Sequence, residues 1–352
     1  MFSSVFKKIA IAGAAASLLI LSACGSPAAE SGPTTVTLLT HDSFVVSEAL
    51  VAQLKKDTGI TLKITTAGDA GAMVAGAVLA SGSPSADALF GVDNTLVAKA
   101  VDAQVFSPYT STNLATVIPA LKADTSDGVV TPIDYGDVCV NIDNKWFAKH
   151  KLAVPTTIDQ LATPAYKDLL VVEDPATSSP GLAFMLATKA KFGDKWTSYW
   201  KQLEANGVQI SGSWTDAYES AFSASGGTRP LVVSYATSPP AEIVYAKDPK
   251  PASPSTSVLT DGCYRQVEFA GVLRGTQHEA AAQTVVDWLL SKGVQADVPL
   301  SMFVFPAREN TPLPEVFTKF AATVPHPLQL SATDVNANLK SWLSEWDQVM
   351  GR

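Results

Sequence analysis

The run TVTLLTHDSFVVSEALVAQLKKDTGITLKITTAGDAGAMVAGAVLASGSPSADALFGVDN, Thr35 to Asn94, decides the fold. Three β-rich segments, Val36 to Thr40, Thr61 to Thr65 and Ala86 to Phe90, alternate with two helix-type segments, Ser47 to Lys56, which Gly59 stops, and Ala72 to Ala80. A third helix is expected at Asn94 to Ala103. Strands separated by helices of this length predict a parallel, helix-covered sheet whose ligand crevice lies beyond the carboxyl ends of the strands.

The alternation resumes near Tyr135. Val138 to Ile142, Leu169 to Val172, Val208 to Ser211 and Leu231 to Tyr235 read as strands, with helices after Gly181, Asp194, Thr215 and Pro239. Tyr264 to Leu273 is one more long β-type run, followed by helices at Glu279 to Leu290 and Val335 to Val349, while the Pro-rich stretch Lys247 to Pro254 reads as a surface loop. If the long run returns to the first sheet, the chain crosses twice between two α/β lobes and encloses a cleft. The expected division is a signal at 1–23, a flexible tether at 24–34, lobe 1 from 35–134 with 264–310, lobe 2 from 135–263, and a C-terminal helical segment at 311–352 packing on the lobes.

With 352 residues, 47% hydrophobic and 16% charged, the chain is too long and too apolar for a disordered segment and is long enough for two packed cores. Its net charge of -8, from 25 Lys+Arg against 33 Asp+Glu, argues against a nucleic-acid reader and favours a cationic ligand. Four histidines and three cysteines, none in C-x-x-C or H-x-x-x-H spacing, leave no recognisable zinc site.

Lys7 and Lys8 precede an apolar or small run from Ile9 to Leu21, the length of an export-signal core and short for a membrane span. The run closes on LSACG, Leu21 to Gly25, which resembles the lipobox of bacterial lipoproteins, in which the cysteine, here Cys24, carries lipid and begins the mature chain. The expected location is extracytoplasmic, anchored by lipid to the outer face of the cell membrane. Cys139 and Cys263 remain. An even pair in an oxidising compartment favours a disulfide over free buried thiols, worth about 4 to 5 kcal/mol on the loop-entropy account.

Reading past the strand ends gives His41, Asp42 and Ser43 after the first, Asp69 after the second, Asp93 after the third, and Asp134 with Tyr135 where the chain crosses over. All these places offer carboxylates, although an Asp at a helix start also serves as an N-cap. DPATSSPGL, Asp174 to Leu182, crowds Ser178 and Ser179 before Pro180 and Gly181 at a helix start, where free N–H groups either bind an anion or are simply capped. SWTDAY and SYATSP set Trp214, Tyr218, Tyr235 and Ser238 between strand ends and helix starts, where rings either stack on a flat ligand or fill the core. A planar cation with a hydroxyl or phosphate tail satisfies the whole set, with about 0.5 to 2 kcal/mol from each cation–π contact.

The ordered series HDSF (from His41), GVDN (from Gly91), PIDYGD (from Pro132), DPATSSPGL, SWTDAY, SYATSP, QVEFA (from Gln266) and SEWDQVM (from Ser344) resembles the thiamine-binding periplasmic protein family, the substrate-binding subunits of ABC importers, over nearly the whole chain from Thr35. The resemblance implies the type II periplasmic-binding-protein fold, two α/β lobes closing as a monomer on thiamine or its phosphates, no cofactor, and an ABC permease with its ATPase as partners. It further implies Asp69 and Asp93 at the aminopyrimidine end, Ser178 and Ser179 at the hydroxyethyl or phosphate tail, and Trp214 and Tyr235 along the aromatic part. Departures are His41 where the family often has Tyr, Ala241 where it has an aromatic, Phe303 where it has Trp, and a missing Trp after HDSF.

Rival readings are a binding protein of the same fold for a polyamine, a sugar or ferric ion, and an exported hydrolase. The iron binders of this fold use adjacent tyrosines, and no Tyr-Tyr pair occurs here. A hydrolase needs a nucleophile with a base in reach, yet the chain has no G-x-S-x-G elbow and its histidines, His41, His150, His278 and His326, stand in no catalytic motif. The reading is therefore a binding protein and not an enzyme.

Overall fold

The structure, a computed structural model, describes residues 34–123 and 128–352. The export signal, the lipobox with Cys24, and the tether up to residue 33 lie outside the described residues. No described helix is long and apolar enough to cross a membrane.

The first half of the sheet is built from β1 (Thr35–Thr40), β2 (Thr61–Thr66) and β3 (Ala88–Asp93), paired in parallel in the order β2-β1-β3. Alternation in β1 buries Val36, Leu38 and Thr40, whereas β3 is buried along its whole length, as a central strand covered on both faces must be. In the second half, β5 (Leu170–Glu173) pairs in parallel with both β6 (Gln209–Ser211) and β7 (Leu231–Tyr235).

The halves are joined by β4 (Thr131–Asp143) and β8 (Thr256–Val272), with the short β9 (Phe305–Pro306) on the edge of β4. These two long strands run antiparallel to each other, β8 against β3 and β4 against β7. The expectation of purely parallel pairing therefore holds only within each half. At 13 and 17 residues, β4 and β8 exceed the usual strand length because each serves both halves of one continuous sheet. The start of β8 lies eight residues ahead of the expected Tyr264. Its early part, TSVLTDG, is half exposed and carries the polar and Gly residues that hide a strand pattern. Between Val138↔Tyr264 and Val140↔Leu259 the pairing skips, and at this irregularity Cys139 and Cys263 are joined as a disulfide.

Behind the sheet, the Ser179–Phe192 helix is buried on every side from Ser179 to Thr188, which fits its lack of a polar face. The Trp196–Ala205 helix packs on it, and the Ala332–Met350 helix packs on that one in turn, Trp200 meeting Trp346 edge-on at 5.5 Å. Its start is Ser179, ahead of the expected Gly181, because Pro180 suits a first turn and a side chain on Gly181 would fall 2.5 Å from the Glu173 carbonyl oxygen. The Lys292–Ser301 helix has no counterpart in the sequence reading, since it contains Gly293 and Pro299.

Gly91 ties this framework to the chemistry. It sits at φ +100 within a β3 irregularity, and a Cβ there would lie 2.3 Å from the Cδ2 of His41. Gly91→Ala is expected to displace the imidazole and to cost about 1–3 kcal/mol from overpacking, read as a lowered melting temperature. An unchanged melting temperature would show slack around the ring.

Candidate functional site

The carboxyl ends of β1, β2, β6 and β7 converge on a cavity of about 420 Å³. His41, Asp42 and Ser43 reach it from the turn after β1, Asp69 from the end of the β2 turn, and Ser179 from its helix start. Trp214, Tyr218, Tyr235, Ser238 and Phe303 also line it, so ten of the fifteen residues singled out from sequence share one space.

Its floor is electrostatic. His41 Nε2 lies 3.4 Å from Glu268 Oε1, both side chains being buried, and Nδ1 lies 2.9 Å from Ser43 Oγ. Burial works against the imidazolium, but the Glu268 charge outweighs it and holds His41 above its ordinary value. Burial likewise works against the Glu268 carboxylate, and the His41 charge keeps it below its ordinary range. Burial first, and the neighbouring Glu268 second, push Asp134 well above the usual carboxylate range. Asp42 is raised by burial and then by the charge of Asp69.

Asp69 ties the halves together. Its Oδ1 accepts from Ala70 N–H at 2.6 Å, capping the Ala70–Leu79 helix, and its Oδ2 accepts from Trp214 N–H at 2.9 Å in the other half. Trp214 is itself fixed in place. Its indole N–H donates to Ser234 Oγ at 2.9 Å, that hydroxyl meets Ser238 Oγ at 2.9 Å, and its ring stacks on Tyr218 at 5.0 Å and 12°. The result is a flat aromatic wall over an acidic floor.

Five of the sequence-derived residues do not line the cavity. Asp93 is fully buried, accepting from the hydroxyl and N–H of Thr95 and from Leu96 N–H, and burial raises it to about 6. It acts one step back: Gln266 Nε2 donates both to Asp93 Oδ2 at 2.9 Å and to Ser179 Oγ at 2.5 Å. Asp134 lies behind Glu268. Tyr135 stacks on Phe305 at 5.2 Å beneath the Arg265 guanidinium. Ser178 is buried in the turn before the helix, and Gly181 is pressed against Glu173.

Glu268 is the main residue that the sequence reading passed over. Its signal is alternation: Gln266 and Glu268 are polar residues two apart in the buried final stretch of β8, QVEFAGV, whose other residues are apolar or Gly, which puts both on one face. Tyr245 is another. It lines the cavity one helical turn after Ala241, whose carbonyl accepts its N–H, and its ring meets Phe303 at 5.5 Å. Phe303 holds φ +53, an uncommon conformation for a bulky residue. Among the described residues no cluster of His, Cys, Asp and Glu suits a metal ion.

The cavity therefore carries four carboxylates, Asp42, Asp69, Glu219 and Glu268, with His41 as counter-charge and no Lys or Arg among its lining residues. Such a surface favours a flat organic cation.

A family model described as bacterial extracellular solute-binding protein matches residues 83–322. The chain is 27% identical to the thiamine-binding periplasmic protein of Salmonella typhimurium, over 95% of this chain and 98% of that one. It is 26% identical to the Escherichia coli protein of the same name, over 90% and 94%. Among solved structures, a periplasmic thiamin binding protein superposes with a TM-score of 0.79 at 24% identity, over 90% of this chain and 96% of that one. A ferric binding protein from Campylobacter jejuni gives 0.71 at 18%, over 89% and 99%. These likenesses identify the type II periplasmic-binding-protein fold, in which two α/β halves flank a ligand cleft. With its model matched over more than half of the sequence, the chain belongs to the bacterial extracellular solute-binding protein family.

Proposed function

We propose that the protein captures thiamine by closure of its two lobes, taken as 35–134 with 264–310 and as 135–263, and delivers it to an ABC permease powered by an ATPase subunit. In this reading it works as a monomer, tethered by lipid on Cys24 to the outer face of the cell membrane. The observation that carries the ligand is the pairing of the Trp214–Tyr218 wall with the Asp42, Asp69, Glu219 and Glu268 carboxylates in one cavity that has no lining Lys or Arg. The thiazolium charge rests among the acids while the flat rings lie along the aromatics, and no bond is made or broken.

Isothermal calorimetry with thiamine tests this, beside spermidine and ferric citrate as controls expected to give no heat. Thiamine should bind, and Trp214→Ala should weaken it at least tenfold through lost cation–π and stacking contact. Unchanged affinity in that variant would place the ligand elsewhere.

A further inference from the structure

We propose that His41 is a placeholder cation whose charge thiamine replaces, so that capture of the vitamin expels a proton from the cleft to solvent; this rests on the functional reading above. The imidazole is 5% exposed, lines the cavity, and is the one lining side chain able to carry positive charge. Its hold on Glu268 is by charge alone. Nε2 stands 3.4 Å from Glu268 Oε1, and among the described residues it has no hydrogen-bond partner. An ion pair without a hydrogen bond is governed by the local field, and a second cation in the same cavity changes that field.

The field is one-sided. Glu268 acts on His41 from β8 and Asp69 from the turn after β2, while Asp42 adds its charge from the same turn as His41. Asp134 stands behind Glu268 on β4, Glu219 lines the cavity from the other half, and Asp216 acts on Asp42. Phe44 and Phe90 flank the ring at 6.5 and 5.7 Å between centres, and burial pushes the Tyr218 and Tyr235 phenols up, so both stay neutral. In the empty cleft these acids hold a proton on His41. A permanent cation seated among them supplies the same charge and repels the imidazolium; a like charge within about 4 to 6 Å, where water is excluded, shifts a titrating group by roughly one pH unit or more. The proton leaves one ring nitrogen for the buffer, and the ring keeps its other N–H. The Ser43 hydroxyl, 2.9 Å from Nδ1, serves either neutral tautomer, donating to a bare Nδ1 or accepting from Nδ1–H. By linkage, thiamine binds more tightly as pH rises through the range between the loaded and the empty titration of His41.

The test uses the full chain. Calorimetry with thiamine at pH 6.5, in buffers of low and high ionisation heat, counts protons, and release of roughly a third of a proton or more per thiamine is expected. Proton NMR of the imidazole C2–H signals then identifies the group that loses it. His150, His278 and His326 are exposed, so replacing each with Gln removes its signal and leaves that of His41. His41 should titrate above its ordinary value in the empty protein and at least one pH unit lower when saturated with thiamine, a tenfold gain in acidity. No net release, a His41 titration that thiamine leaves in place or moves upward, or release with no His41 shift, which would assign the proton to an acid such as Asp134, overturns the exchange while leaving thiamine capture standing. Absence of both binding heat and thermal stabilisation removes the ligand, and the exchange with it.

Discussion

Glu268→Gln is expected to weaken thiamine binding by roughly a hundredfold, equivalent to about 2.7 kcal/mol. Glu268 is buried, faces the cavity and is the partner of His41. Truncating one member of a buried charge pair typically costs about 2 to 5 kcal/mol, much of it from the charge left unpaired. The variant removes a negative charge from the floor and leaves the imidazole without its counter-ion. Calorimetry reads the effect, and a loss below threefold would take Glu268 out of the site.

The same pair sets a pH dependence. His41 is held above its ordinary value, so its contribution to stability is complete below about pH 6.5 and is lost as pH rises through the raised value. Glu268 is held below its ordinary value, so its contribution is complete above about pH 4.5 and is lost as pH falls through the lowered one. Asp93, raised to about 6, releases its proton more readily unfolded than folded, so stability falls as pH climbs from about 4 through 6. The empty protein should therefore melt higher at pH 5.5 than at pH 8. In Glu268→Gln the gap should narrow, because the charge that does most to hold the proton on His41 is gone and only the weaker pull of Asp69 and Asp42 remains.

Replacing Cys139 and Cys263 together with Ala should lower stability by about 4 to 5 kcal/mol. The bridge closes a separation of 124 residues, and the loop-entropy account assigns that amount to the freed unfolded chain. For a chain of this size the loss corresponds to a fall of roughly 5 to 10 °C in melting temperature. Neither cysteine lines the cavity, so thiamine affinity should hold within threefold. A melting temperature that barely moves would mean that the folded strands, and not the unfolded loop, govern what the bridge contributes.

Much of this was legible in the amino-acid sequence. Leu231–Tyr235 was read to the residue, and β1 and β2 to within one residue at either end, because short β-branched runs bounded by turn residues leave little choice. Most of the cavity members found from sequence, His41, Asp42, Ser43, Asp69, Ser179, Trp214 and Ser238 among them, sit just past a strand or at a helix start, where chain order alone locates them. Glu268 and Tyr245 escaped for different reasons. Glu268 is mid-strand, and its exposure to the cleft follows from how β8 crosses between the halves. Tyr245 stands exposed at the end of a short helix, where its residue type and spacing alone do not announce a cavity. Asp93 and Ser178 were assigned to the ligand by position in a motif, yet distance to the cavity is set by side-chain direction, and theirs turn into the interior. Asp93 still bears on the site, through Gln266.

The crossing strands have one more consequence, for anyone who would take the molecule apart. Since β4 and β8 each belong to both halves, neither half is a separable module. A gene fragment ending within either strand would expose a raw β edge along which copies of the fragment can associate. Halves produced separately should be insoluble, and recombination between relatives should yield working proteins only when both strands come from the same parent.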